Sequence, residues 1–264
     1  MRIDKASFGG ILLAAGGILA GLLLEGGNLR QILQPTAAMI VFGGTLGAVL
    51  LQFPLPIILL ALRRLGSVFV NAARDPQAQI RQLVEFAQKA RREGIVALDA
   101  ELAEIEDPFL QRSLMLAVDG TEPQELRKIM WHELDSQAEY EEQPPQVFES
   151  AGGFAPTVGI IGAVLGLIQV MQHLDKIDEV GKGIAVAFVA TIYGVGSANL
   201  LYLPIAGKMK IRIREEQVLR EMMLEGVASI LEGMNPRMLE TKLLGFLVEA
   251  DQLPPAHPEE EAGE

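Results

Sequence analysis

Residues 152–172 read GGFAPTVGIIGAVLGLIQVMQ and residues 183–207 read GIAVAFVATIYGVGSANLLYLPIAG, with no Asp, Glu, Lys, Arg or His in either. Helices of 21 and 25 such residues are long enough to cross a hydrocarbon core of about 30 Å. Toward the amino terminus, residues 6–24 and 36–62 are also free of charge, 19 and 27 residues long. Four such runs in 264 residues leave too little other chain to bury them in a soluble core. The expected fold is therefore an all-α integral membrane protein with four transmembrane helices. Arg2 and Lys5 precede the first run as in a secretory signal, but Glu25-Gly26-Gly27 offers no obvious cleavage site, so the run is expected as a retained span.

The rest of the chain explains an otherwise contradictory composition. Mean hydropathy is +0.28, yet 34 acidic residues against 22 basic ones give a net charge of −12. Residues 63–150 carry −7 and residues 208–264 carry −5, which accounts for all of it. Such acidity argues against nucleic acid as a partner. The absence of cysteine excludes disulfides and thiolate metal sites, and three scattered histidines do not make a metal cluster.

Lys and Arg beside the spans set the expected orientation. Arg2 and Lys5, Arg63 and Arg64, and Lys208, Lys210, Arg212 and Arg214 mark three cytoplasmic flanks. Both termini are therefore expected inside. The resulting division is residues 1–62 with spans one and two, a cytoplasmic helical domain at 63–150, spans three and four within 151–207, and a cytoplasmic helix with a disordered acidic tail at 208–264.

Within 63–150 the pattern is helical. Asp75-Pro76 opens a helix carrying Ile80, Leu83, Val84 and Ala87 on one stripe, and Gly94 interrupts it. A second helical run is expected at 95–106 and a third from Asp107-Pro108 to about Gly120. A fourth, opened by a Thr121/Gln124 capping box, should be ended by Pro144-Pro145. Arg91, Arg92, Glu93, Asp99 and Glu101 put both signs of charge around Gly94, a surface suited to a charged partner.

Gly17 and Gly21, Gly43 and Gly47, and Gly162 and Gly166 are spaced by four, as in closely packed membrane helices. More small-residue surface than one bundle needs points to a homo-oligomer or a foreign helix beside spans three and four. Those spans offer only neutral polar groups, including Thr157, Gln169, Thr191, Tyr193, Ser197, Asn199 and Tyr202. Ion conduction would therefore draw its acid from a partner. Pro156 and Pro204 can bend their helices and free backbone carbonyls. No nucleophile, base pair or phosphate loop supports an enzyme.

The stretches Gly153–Ile168, Gly183–Gly194 and Asn199–Lys208 resemble the A subunit of the bacterial flagellar motor stator, the MotA/PomA family, and look closest to its MotC type. The resemblance extends to Glu25-Gly26-Gly27, Phe42-Gly43-Gly44-Thr45, Ala90–Asp99, Asp107-Pro108-Phe109, Phe148-Glu149-Ser150, Asn235-Pro236-Arg237 and Lys242–Leu247. It implies a multi-pass protein of the bacterial inner membrane. Five such subunits would surround two helices of a peptidoglycan-anchored B subunit of the MotB/MotD type, which carries the membrane aspartate. Ion flow past that aspartate would turn the ring and push on the rotor protein FliG, with no cofactor. Carried over by position, the torque-generating pair is Arg91 and Asp99. Asp99 stands where the family has glutamate, with Glu101 beside it to compensate for the shorter reach. The ion-path positions are Pro156, Thr191, Ala163 and Pro204. Sodium-driven relatives have threonine at the position of Ala163, so its absence favours a proton. Two other readings are a TolQ/ExbB-like energy transducer, disfavoured by the fourth span, and a passive membrane scaffold.

Overall fold

The computed structural model describes residues 2–71 and 75–252, and the side chains of Arg2, Ile3, Asn71 and 248–252 are left aside. The expected disordered tail beyond Pro254 lies outside the described residues. The chain divides into two compact units, Met1–Ala73 with Glu142–Lys210, and Arg74–Glu141 with Ile211–Glu264.

In the first unit, strand β1 (Arg2–Ile3) pairs antiparallel with a later segment, and α1 (Lys5–Leu24) follows. Asp4 caps α1, its Oδ1 accepting from the amide of Ala6 at 3.0 Å. None of the 20 residues of α1 is buried, as expected of a helix whose apolar surface meets lipid. After α2 (Leu29–Ile32) comes α3 (Pro35–Gln52), with Ala37, Val41, Thr45 and Val49 buried along one stripe.

The structure differs from the sequence expectation over residues 36–62. The helix stops at Gln52, because Phe53 takes the extended conformation (φ −115, ψ 140) imposed on a residue before proline. Pro54 is also extended in ψ and caps a separate helix, α4 (Leu55–Arg64). A short α5 (Gly66–Phe69) leads to β2 (Val70–Asn71), the partner of β1. This two-residue pairing is the only strand pairing among the described residues.

The second unit starts with α6 (Pro76–Glu93), capped by Asp75. Ile80, Leu83 and Ala87 are buried as the periodicity requires, and Phe86 joins them. The helical run expected at 95–106 is a 3-10 helix over Ile95–Glu104. Helix α7 (Pro108–Val118) follows, with Asp107 Oδ1 accepting from the amides of Phe109 (2.9 Å) and Leu110 (3.2 Å). Gly120 adopts φ 86 and the Thr121 amide reaches back to the carbonyl of Leu116 at 3.1 Å, closing α7. Thr121 therefore ends one helix and does not cap the next, which starts at Pro123.

That next helix, α8 (Pro123–Gln172), is 50 residues long and contains Pro144, Pro145 and Pro156. The expected stop at Pro144-Pro145 does not occur. An interior proline costs about 3 kcal/mol, but both rings are buried beside buried Val147 and Phe148, and that burial offsets the lost amide bonds. Helix α9 (Ile177–Ser197), a π turn (Ala198–Tyr202) and α10 (Leu203–Leu231) form the next pass, and α11 (Pro236–Gln252) follows. Asn235 caps α11 through the amide of Arg237 at 3.0 Å.

The first unit packs around Val49, Ile58, Val147, Phe148, Ala206 and Met209. The second has a larger core that includes Leu83, Leu98, Leu114, Met130, Met222 and Leu243. Each fully buried Leu there is worth about 2 kcal/mol. Among the described residues, four helical stretches are long and apolar enough to cross a membrane, and they fall in Lys5–Leu24, Pro35–Gln52, Pro123–Gln172 and Ile177–Leu231.

Candidate functional site

Spans three and four meet backbone to backbone. A Cβ on Gly159 would lie 2.9 Å from the carbonyl oxygen of Ala190, and one on Gly194 would lie 2.5 Å from that of Ala155. A Cβ on Gly166 would come within 2.8 Å of the carbonyl oxygen of Gly183. These glycines are therefore required by close approach, as in small-residue seams between membrane helices. The seam accounts inside one chain for part of the small surface noted in the sequence. Gly17, Gly21, Gly43, Gly47 and Gly153 face open space and leave the remainder available for other helices.

The ion-path candidates lie around this seam. Pro156 and Ala163, seven residues apart on α8, share a helix face and are half-buried. Thr191 on α9 is exposed, next to seam residue Ala190, and its Oγ1 donates to the carbonyl of Ala187 at 3.2 Å. Pro204 is exposed at the start of α10, directly after the π turn. A proline there has no amide for the carbonyl of Leu200, and the π turn takes up that loss. Asn199, inside the turn, donates from Nδ2 to the carbonyl of Val195 at 2.9 Å. Thr191 lies among exposed Ile184, Phe188, Ile192 and Val195, so its hydroxyl is the polar group of an otherwise apolar exposed face.

Tyr193 has a role that sequence reasoning missed. Its OH donates to the carbonyl of Ile32 at 2.5 Å and accepts from the amide of Gln34 at 3.3 Å, and its ring stacks on Phe42 with centroids 5.8 Å apart. It ties the start of span two to span four. The lone tyrosine in the charge-free run before Ser197 was the available signal, since a buried phenol needs a partner.

At the foot of the spans, Asp4 receives a hydrogen bond from Lys208 Nζ at 2.8 Å. That bond chiefly holds the Asp4 carboxyl well below the usual carboxylate range; burial opposes it, and the amides of Ser7 and Ala6 assist it. The Asp4 amide donates to the carbonyl of Phe69 at 3.0 Å, and the Phe8 and Phe69 rings lie 5.3 Å apart.

In the second unit, Gly94 has φ 89 and ψ 160, a conformation essentially reserved for glycine, and turns the chain from α6 into the 3-10 helix. Arg91 and Asp99 both project into solvent on either side of that turn, while Leu98 is fully buried. Glu101, the neighbour expected to compensate for the shorter Asp99, is paired with Lys89. The same pairing pushes the Lys89 ammonium pKa up. Gln111 Nε2 donates to the carbonyl of Leu102 at 2.8 Å and fixes the far end of the 3-10 helix.

A charged network holds this unit together. Arg127 Nε and Nη2 donate to Glu225 at 3.1 and 3.0 Å, and Nη1 donates to Glu232 at 2.6 Å. Lys242 Nζ reaches Glu225 at 2.5 Å. Burial pushes the Glu225 carboxyl up, but the Arg127 and Lys242 hydrogen bonds outweigh it and leave it lowered.

Residues 8–94 match the family described as Motility protein A N-terminal, and residues 101–222 match the MotA/TolQ/ExbB proton channel family. Motility protein A of Bacillus subtilis is 38% identical over 95% of this chain and 93% of its own length. The flagellar MotAB stator complex from Bacillus subtilis contains a similar chain, with TM-score 0.87, 38% identity and coverage of 94% of this chain and 98% of that one. The C. jejuni MotAB structure is similar at TM-score 0.87 and 32% identity, over 92% and 96%. The two family matches and these likenesses agree, and the chain belongs to the Motility protein A family within the MotA/TolQ/ExbB proton channel group.

Proposed function

We propose that this chain is the A subunit of a flagellar motor stator, which forms a proton channel with a B subunit and converts ion flow into torque for motility. The observation that carries this reading is the combination of full-length likeness to the MotAB stator chains with spans three and four that hold no ionisable group. A channel built on these spans needs an acid from outside the chain. A membrane aspartate on a peptidoglycan-anchored B subunit fills that role.

In this reading the protein is a ring of five copies in the bacterial inner membrane, with both termini and residues 63–150 on the cytoplasmic side. Pro156, Ala163, Thr191 and Pro204 border the ion path. Thr191 contributes a hydroxyl, the two prolines let the helices flex, and Ala163 leaves no second hydroxyl for sodium. Arg91 and Asp99 present opposite charges to the rotor protein FliG, held apart by the Gly94 turn. Membrane lipid covers the outer faces of the spans.

Deleting the gene in a strain with no second stator set, and scoring swimming while flagella remain assembled, tests the proposal. Paralysed but flagellated cells are expected; unchanged motility on stiff medium would contradict it. Wild-type torque in Thr191→Val and Pro156→Leu variants would favour a passive scaffold.

A further inference from the structure

Helix α4 (Leu55–Arg64) starts three residues after span α3 ends, separated from it by extended Phe53 and Pro54. At ten residues it is about 15 Å long, too short to cross a bilayer by itself. One arc of it is buried: Ile58 is 7% exposed and Ala61 0%, packed in the core with Val68, Phe148 and Met209. A different arc carries Leu55, Leu59 and Leu62, at 58%, 47% and 56% exposure. These residues sit at i, i+4 and i+7, one continuous stripe on a helix. Arg63 is four residues beyond Leu59 and exposed, and Arg64 follows it. Among the described residues Arg63 forms no ion pair.

We propose that α4 is an interfacial helix that binds anionic phospholipid headgroups, with the Leu55/Leu59/Leu62 stripe seated at the acyl boundary and Arg63 holding the phosphate. Three observations select this occupant. The stripe follows span α3 by three residues, and the last turns of that span expose Leu46, Leu50 and Leu51, so the same bilayer reaches it. The helix is apolar on two arcs and cationic at one end, the pattern of a helix lying in the headgroup layer. The charge that complements Arg63 is negative, and the available negative surface at the end of a span is the lipid headgroup layer. The proposal depends on the four-span fold alone, not on the assignment of rotor or ion-path residues.

The test uses the full-length chain purified in mild detergent and titrated with phosphatidylglycerol or phosphatidylcholine, with bound lipid counted by native mass spectrometry. Preferential retention of phosphatidylglycerol is expected. Arg63→Gln should reduce that retention about fivefold, Arg63→Lys should keep most of it, and millimolar inorganic phosphate should not displace the lipid. Equal retention of the two lipids, or unchanged retention in Arg63→Gln, would overturn the proposal. So would displacement by inorganic phosphate, which would identify a free-phosphate site, or efficient disulfide cross-linking between copies through Leu59→Cys, which would show that a second copy covers the stripe.

Discussion

Lys208 Nζ lies 2.8 Å from Asp4 Oδ2, joining the residue that caps span one to the residue that follows span four. Asp4 is 6% exposed, so an asparagine there would leave Lys208 facing a neutral group with little water to replace the carboxylate. Asp4→Asn should lower the thermal midpoint of the purified complex by several degrees at neutral pH. The folded-state pKa of Asp4 is depressed, so its contribution is present above the unfolded value of about 3.9 and is lost as pH falls toward the folded value. The gap between wild type and Asp4→Asn should therefore be constant from neutral pH down to mild acid and shrink below about pH 4. A gap that persists undiminished in strong acid would contradict the assignment.

The glycine seam sets a steric limit on spans three and four. Gly159→Val and Gly194→Val each place carbon where a carbonyl oxygen already lies within 3 Å of a Cβ position. Overpacking of this kind costs about 1–3 kcal/mol and more where backbone must move. Both variants should reduce recovery of intact complex from membranes. Gly153→Ala, which meets open space within the chain, should leave the fold of the single chain intact.

Arg127 joins α8 to Glu225 and Glu232 on and just after α10, and Lys242 brings in α11. Charge-assisted hydrogen bonds of this type contribute about 1.5–3 kcal/mol each when partly buried. Arg127→Met should lose about that amount, and hydrogen exchange should show faster opening of α11 and the carboxyl-terminal turns of α10. Arg127→Lys should recover part of it by keeping one bond to Glu225.

Arg91 and Asp99 are exposed and carry opposite charges across the Gly94 turn. Arg91→Glu should weaken swimming, and a charge reversal on the facing rotor residue should partly restore it. Glu101 is paired with Lys89, and Asp99→Asn should also weaken swimming. Full torque from the combination of Arg91→Glu and Asp99→Lys would rule out these residues as the rotor contact.

Most of the fold was legible because charge and periodicity report directly on solvent. The four uncharged runs fall in the regions of the helices that are long and apolar enough to cross a membrane, and Asp75-Pro76 and Asp107-Pro108 marked helix starts that the structure caps as expected. The break at Phe53-Pro54 was hidden because hydropathy does not change across it. The passage of α8 through Pro144 and Pro145 was hidden because helix continuation there depends on burial of the rings, which the local sequence does not report. The Asp4–Lys208 and Lys89–Glu101 pairs are likewise tertiary facts, since each residue alone reads as an ordinary surface charge. Arg91, Asp99 and Thr191 came from family resemblance, and the structure adds their exposure and surroundings.

Rotation itself is the most direct test of the central claim. Tethered cells whose motors contain this chain and its B subunit as the sole stator set should rotate under a proton-motive force, stop when an uncoupler collapses it, and restart when the uncoupler is washed out. Their speed should not change when sodium is replaced by potassium. Rotation that survives the uncoupler, or that stops on sodium removal with the proton-motive force intact, would contradict a proton-driven stator.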